Sequence, residues 1–126
     1  MGQRGVLIAE PQLFVTDIAA SCAFFARIGF AAAFVHGDPP FYAQVAREGA
    51  RLNLRHVDGP VFDPAFRVHE ADALAATIVA DAIAPLYTEF AAAGVEFHQK
   101  LRPEPWGAQT FILADPDGNL IAFAGG

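Results

Sequence analysis

Apolar positions along the chain follow two alternating periods, and the same succession occurs twice. Residues 6–15 (VLIAEPQLFV) are rich in β-formers and predict a strand. Asp17 follows, a residue type whose carboxylate accepts from the free amides of a helix's first turn. Ile18, Cys22 and Phe25 then recur at i, i+4 and i+7, which predicts one buried helix face. Gly29 suits the left-handed residue after that helix. Val79-Ala80-Asp81 restarts the pattern set by Val15-Thr16-Asp17, and Gly94 repeats Gly29. In this second copy Ile83, Leu86, Tyr87 and Phe90 form the stripe, and Pro85 is expected at or near the first helical position.

Strand-like segments follow each helix, at 30–36, 41–47 and 50–57, then at 95–101, 107–114 and 119–124. Turn chemistry separates them: Gly37-Asp38-Pro39-Pro40, Glu48-Gly49 and Asp115-Pro116-Asp117-Gly118-Asn119. Residues 58–70 hold two prolines and little periodicity, and read as a linker. The predicted class is α+β, with two tandem βαβββ modules in one domain of residues 1–126. Module one covers about 1–57 and module two about 71–126. A single module would leave a sheet face and edges uncovered. Two curved mixed sheets packed together, within one chain or between two, would enclose a cleft.

Composition narrows the function classes. Of 126 residues, 54% are hydrophobic, so a folded core is expected. The net charge of −6 disfavours phosphate backbones, so no nucleic-acid partner is expected, and it favours cationic ligands. The one cysteine cannot form an internal disulfide, which fits a cytoplasmic setting. No secretion signal and no apolar stretch of membrane-spanning length is read, so no membrane association is expected.

Candidate chemistry is sparse. The four histidines, His36, His56, His69 and His98, show no HxH or HxxxH spacing, and read as surface or strand-end residues. Cys22 lies on the predicted buried face, where a thiol behaves as a small hydrophobe. Ser21, the only serine, has no evident base, and no GxSxG, Walker or GxGxxG motif occurs. Trp106, the only tryptophan, sits in Pro103-Glu104-Pro105-Trp106-Gly107. A Trp on a proline-stiffened loop suits flat or cationic ligands through stacking and cation–π contact. The alternative is a lid on the sheet edge. Phe41-Tyr42 after the Pro39-Pro40 turn projects one ring to each face of a strand, with ordinary sheet packing as the alternative.

These pieces together resemble the vicinal oxygen chelate superfamily, which holds glyoxalase I, extradiol dioxygenases, fosfomycin-resistance enzymes and bleomycin resistance proteins. The matching residues are Val15-Thr16-Asp17, Phe24-Phe25, Ile28-Gly29-Phe30, Leu86-Tyr87, Ala93-Gly94-Val95 and Asp115-Pro116-Asp117-Gly118-Asn119-Leu120-Ile121. The resemblance implies four metal-ligand positions, which fall on Glu10, Asn53, Leu74 and Ala122. Two are apolar, so no metal and no cofactor is expected; Glu10 and His56 are the only weak metal candidates. Pro105-Trp106-Gly107 followed by a strand and the DPDGN turn looks most like the bleomycin resistance branch, in which a Trp lines a groove at a dimer interface. The resemblance then implies a homodimer that binds a small cationic or aromatic compound through Trp106, Phe41, Gly107, Glu104, Phe62 and Asn53, with no catalytic residue. Phe62 enters because a second groove tryptophan of that branch falls near Ala76. Family analogues often exchange the N-terminal strand between subunits. Two other readings stand beside this one. One is a metal-dependent lyase or dioxygenase using Glu10, Asn53 and His56. The other is an interaction module.

Overall fold

The first helix forms where the pattern places it. Asp17 Oδ1 accepts from the Ala20 amide at 3.0 Å and starts α1 (Ile18–Arg27). Gly29, at φ +81°, turns the chain out of α1 into β2 (Ala31–His36). A computed structural model of the protein describes residues 4–126; residues 1–3 of the expected first module lie outside the described residues. Before α1 comes β1 (Gln12–Val15), and after β2 come β3 (Tyr42–Arg47) and β4 (Ala50–His56). The second module repeats this order with β5 (Leu74–Ala80), α3 (Ile83–Ala92), β6 (Phe97–Pro103), β7 (Gln109–Ala114) and β8 (Leu120–Gly125). The first sheet runs β1-β4-β3-β2 and the second β5-β8-β7-β6, so the two modules share one topology. In each, the first strand lies parallel to the last and the other pairs are antiparallel.

Two details differ from the sequence expectation. The first strand is short. Residues 6–11 lie outside the sheet, with Val6 98% and Leu7 94% exposed. Pro11 has no amide to donate, and among the described residues no strand pairs with the chain before it. Pro85, expected at or near the first helical position, is the third residue of α3; the N–H groups of a first helical turn are unpartnered anyway, so the missing amide costs nothing there. The linker holds a short helix, α2 (Pro64–His69). Asp63 caps it by accepting from Ala65 at 2.7 Å, and Pro64 opens it.

One apolar cluster lies between the helices and the helix-facing sides of both sheets. Leu13, Val15, Phe25, Ile28, Leu52 and Leu54 join Ile83, Phe90, Phe111 and Phe123 within it. Phe111 and Phe123 stack at 5.0 Å, and Phe90 meets both rings edge-on. The module junction is also held by polar contacts. Asp117 accepts from the Thr16 amide and hydroxyl at 3.1 and 2.6 Å, and Asn119 Nδ2 donates to the Phe14 carbonyl at 2.9 Å. Arg47 donates to both oxygens of Glu89, at 2.6 and 3.0 Å. The DPDGN turn therefore joins the modules as well as reversing the chain. Its Asp115 is buried and accepts from the Asp117 and Asn119 amides.

Candidate functional site

Covering one face of each sheet with helices leaves the other face open. Strand alternation decides which side chains stand there. On β4, Leu52 and Leu54 are buried in the core, so Arg51, Asn53 and Arg55 stand on the open side. Register then sets their neighbours. Gln12, Asn53 and Gln44 form one row across β1, β4 and β3; Phe14, Arg55, Tyr42 and His36 form the next, which extends onto β2. Phe34 pairs with Gln44 and stacks on Tyr42 at 6.0 Å. The Arg55 guanidinium lies 6.0 Å from the Phe14 ring centroid.

The amide row is ordered. Asn53 Nδ2 donates to Glu10 Oε1 at 3.2 Å, and Gln44 Nε2 donates to Asn53 Oδ1 at 2.9 Å. A carboxylate only accepts, so Glu10 fixes the sense of both amides. Glu10 and Asn53, placed together by the family resemblance, do meet. Gln44 had not been singled out, although the alternation of Tyr42, Gln44 and Ala46 with the buried Ala43 and Val45 marks it. His56 does not join them. The β3–β4 register runs without a bulge, so His56 stands on the opposite side from Asn53, and its Nε2 lies 3.8 Å from Asp58. The expected trio of Glu10, Asn53 and His56 is not assembled.

The open face of the second sheet is more apolar. Ile112, Leu120 and Ala122 are buried and form their own cluster. Ala122 pairs with Thr77 across β8 and β5, while Ala76 faces the core. A register shift between Leu74 and Ala76 sets this arrangement. At one end, Glu104 Oε1 accepts from Arg102 Nε at 2.9 Å and from the Thr110 hydroxyl at 2.7 Å, and Gln99 donates to the same hydroxyl. Those two bonds hold the Glu104 carboxyl below its ordinary range, the Arg102 bond chiefly. Its charge is already paired within the chain. Trp106, 74% exposed, tips the β6–β7 turn beside it, where Gly107 adopts φ +100°. A Cβ on Gly107 would meet nothing within 4 Å, so glycine is required there by conformation and not by space.

Phe62 lies elsewhere. Its ring stacks on Phe66, receives the Arg67 guanidinium at 4.2 Å and lies beside Gly118 in the β7–β8 turn. That turn and the Trp106 turn are at opposite ends of β7, roughly 17 Å apart by strand rise. Phe41 precedes β3, 53% exposed, with its ring edge-on to His36. Trp106, Gly107 and Glu104 thus form one group on the second module, and Phe41 and Asn53 belong to the first. Of the two nucleophile types considered, Cys22 is half-buried and burial pushes its thiol up, away from the reactive thiolate. Ser21 is fully buried, and its hydroxyl has no hydrogen-bond partner among the described residues.

A divalent ion does not fit this donor set. Asn53 is held between Glu10 and Gln44, and the facing positions on the second sheet are Thr77, Leu74 and Ala122. Among the described residues no three His, Cys, Asp or Glu side chains cluster together. Among the described residues no helix is long and apolar enough to cross a membrane.

Comparison with known proteins adds a family and a fold. The profile of the Glyoxalase/Bleomycin resistance protein/Dioxygenase superfamily matches residues 7–123. A bleomycin-binding protein, solved in complex with bleomycin, superposes with a TM-score of 0.75 at 23% identity, over 96% of this chain and 99% of that one. The bleomycin resistance determinant encoded on transposon Tn5 gives 0.77 at 22% identity, over 95% and 98%. A lactoylglutathione lyase from Agrobacterium tumefaciens gives 0.71 at 20% identity, over 98% and 96%. At these identities the likeness is one of fold. No curated protein sequence matches the chain.

Proposed function

The chain belongs to the Glyoxalase/Bleomycin resistance protein/Dioxygenase superfamily, and from that membership and its two open sheet faces we propose that it is a metal-free protein that sequesters a small cationic or aromatic compound. The supporting observation is a set of exposed rings on the open face of the first sheet and on the turns beside the two faces. Phe14, Phe34, Phe41 and Trp106 are 42%, 42%, 53% and 74% exposed. Exposed aromatic rings grouped in this way suit a binding surface. Among the described residues no hydrogen bond, ion pair or ring contact joins the two open faces. A second copy of the chain would supply the missing cover, so that each groove is lined by the first sheet of one subunit and the second sheet of the other.

The N-terminal segment supports the same assembly. Val6, Leu7 and Ile8 project from the body beside a cavity of about 610 Å³ between β4 and the free edge of β5, floored by Phe30, Leu52, Ile78 and Phe123. In the dimer this apolar arm packs there on the partner subunit. Binding then acts by mass action. Rings of the ligand lie against Trp106 and the Phe34–Tyr42 pair, and the ligand leaves unchanged. The test is titration with bleomycin in the presence of a chelator, followed by mass analysis of the recovered compound. Saturable binding with the compound's mass unchanged is expected. Binding that requires added metal, or a changed mass, overturns the reading.

A further inference from the structure

The whole molecule carries −6, but the floor of the open face on the first sheet has the opposite sign. Arg51 and Arg55 stand on it with no carboxylate within ion-pair distance among the described residues. Glu10 is the one carboxylate bonded into that floor. On the second module, Glu104 is paired with Arg102 and Asp72 with His98 at 2.8 Å. The uncompensated charge is therefore positive, and Arg55 lies at its aromatic end, over Phe14 and beside Tyr42 in the register.

The ordered amides favour the same kind of ligand. Each of Asn53 Nδ2 and Gln44 Nε2 uses one proton in the relay toward Glu10 and keeps a second. The Tyr42 hydroxyl donates to Gln12 Oε1 at 3.3 Å, and among the described residues the Gln12 amide nitrogen has no partner. The face thus offers two guanidinium groups and three amide nitrogens, set against one free oxygen each on Glu10 and Gln44. Such a surface suits oxygen acceptors on a flat frame.

We propose that this face takes a planar aromatic compound bearing an acidic oxygen, an arene carboxylate or a phenolate, with Arg55 as the residue that selects for the acid. The ring lies along Phe34 and Tyr42, and the acidic oxygen meets the Arg55 guanidinium. The proposal rests on the binding reading above and narrows it to the aromatic, acid-bearing class.

Three probes that share one ring system test it: 2-naphthoate, 2-naphthamide and 2-naphthylmethylammonium, titrated calorimetrically into the full chain and into Arg55→Gln. Naphthoate should bind about tenfold more tightly than the amide, with the ammonium weakest. Arg55→Gln should bring naphthoate to the level of the amide measured on the same variant, with Tm unchanged because Arg55 is exposed. Equal affinities for all three, tighter binding of the ammonium, or an unaltered naphthoate preference in Arg55→Gln overturns the proposal and leaves the binding reading standing. Failure of all three probes overturns both.

Discussion

Replacing Trp106 with alanine separates a binding role from a packing role. The indole is 74% exposed and tips a turn, so it contributes little to the fold of the single chain. An indole presents about 200 Å² of surface, and a ligand stacked on one face of this exposed ring covers roughly 75 Å². At about 25 cal/mol per Å², that contact is worth about 2 kcal/mol. The Kd of 2-naphthamide, the uncharged probe, should then rise about 30-fold in Trp106→Ala. Tm should move by no more than about 2 °C, as expected for a surface substitution. Calorimetric titration and differential scanning calorimetry on the same two samples give both quantities. An unchanged Kd would remove Trp106 from the site. A Tm loss beyond about 5 °C would show that the ring packs against protein in the native assembly, as the lid alternative requires.

Ser21→Ala removes a buried hydroxyl that has no partner, and should stabilise the fold by about 1 kcal/mol in urea unfolding; destabilisation would reveal a bond to the hydroxyl. Glu89→Gln should cost about 0.5–1 kcal/mol at pH 7, since Glu89 is half exposed and clasped by Arg47. The Arg47 bond holds the Glu89 carboxyl below its ordinary range, so this stabilisation is complete above that range and is lost as pH falls through the depressed value. The two stability curves should converge in acid, and a gap that persists there would assign the effect to something other than the ion pair. Asn119→Ala leaves the Phe14 carbonyl and Asp115 Oδ2 each short of a partner, and should lower stability by about 2–3 kcal/mol. Burial pushes the Asp115 carboxyl up and the Asn119 bonds hold it back, so NMR titration should find it higher still in this variant.

Features written in local chemistry were legible in the sequence. Asp17 caps, Gly29 and Gly94 adopt positive φ, and the DPDGN turn reverses the chain, because each depends on neighbours a few residues away. The tandem order followed from the repeat of those signals. Features that depend on partners far along the chain were not legible. Residues 6–11 have strand-forming side chains, but a strand needs a neighbour, and β4 pairs with β1 only from Asn53 onward. The short helix α2 had its signal in Asp63-Pro64, masked by the apparent irregularity of the linker. Glu10, Asn53 and Gln44 come together only through the register of β1, β4 and β3, so the direction of that relay is a property of the fold.

Native mass spectrometry of the full chain, after equilibration with zinc, nickel and iron(II) salts and buffer exchange, tests the central claim most directly. It reads subunit number and bound metal in one spectrum. The expected result is a species of two chains that retains no metal, since Glu10 stands with amides and apolar residues where a divalent ion would need more charged or imidazole ligands. One tightly held metal ion per chain would contradict it and return the protein to the metal-dependent enzymes of its superfamily.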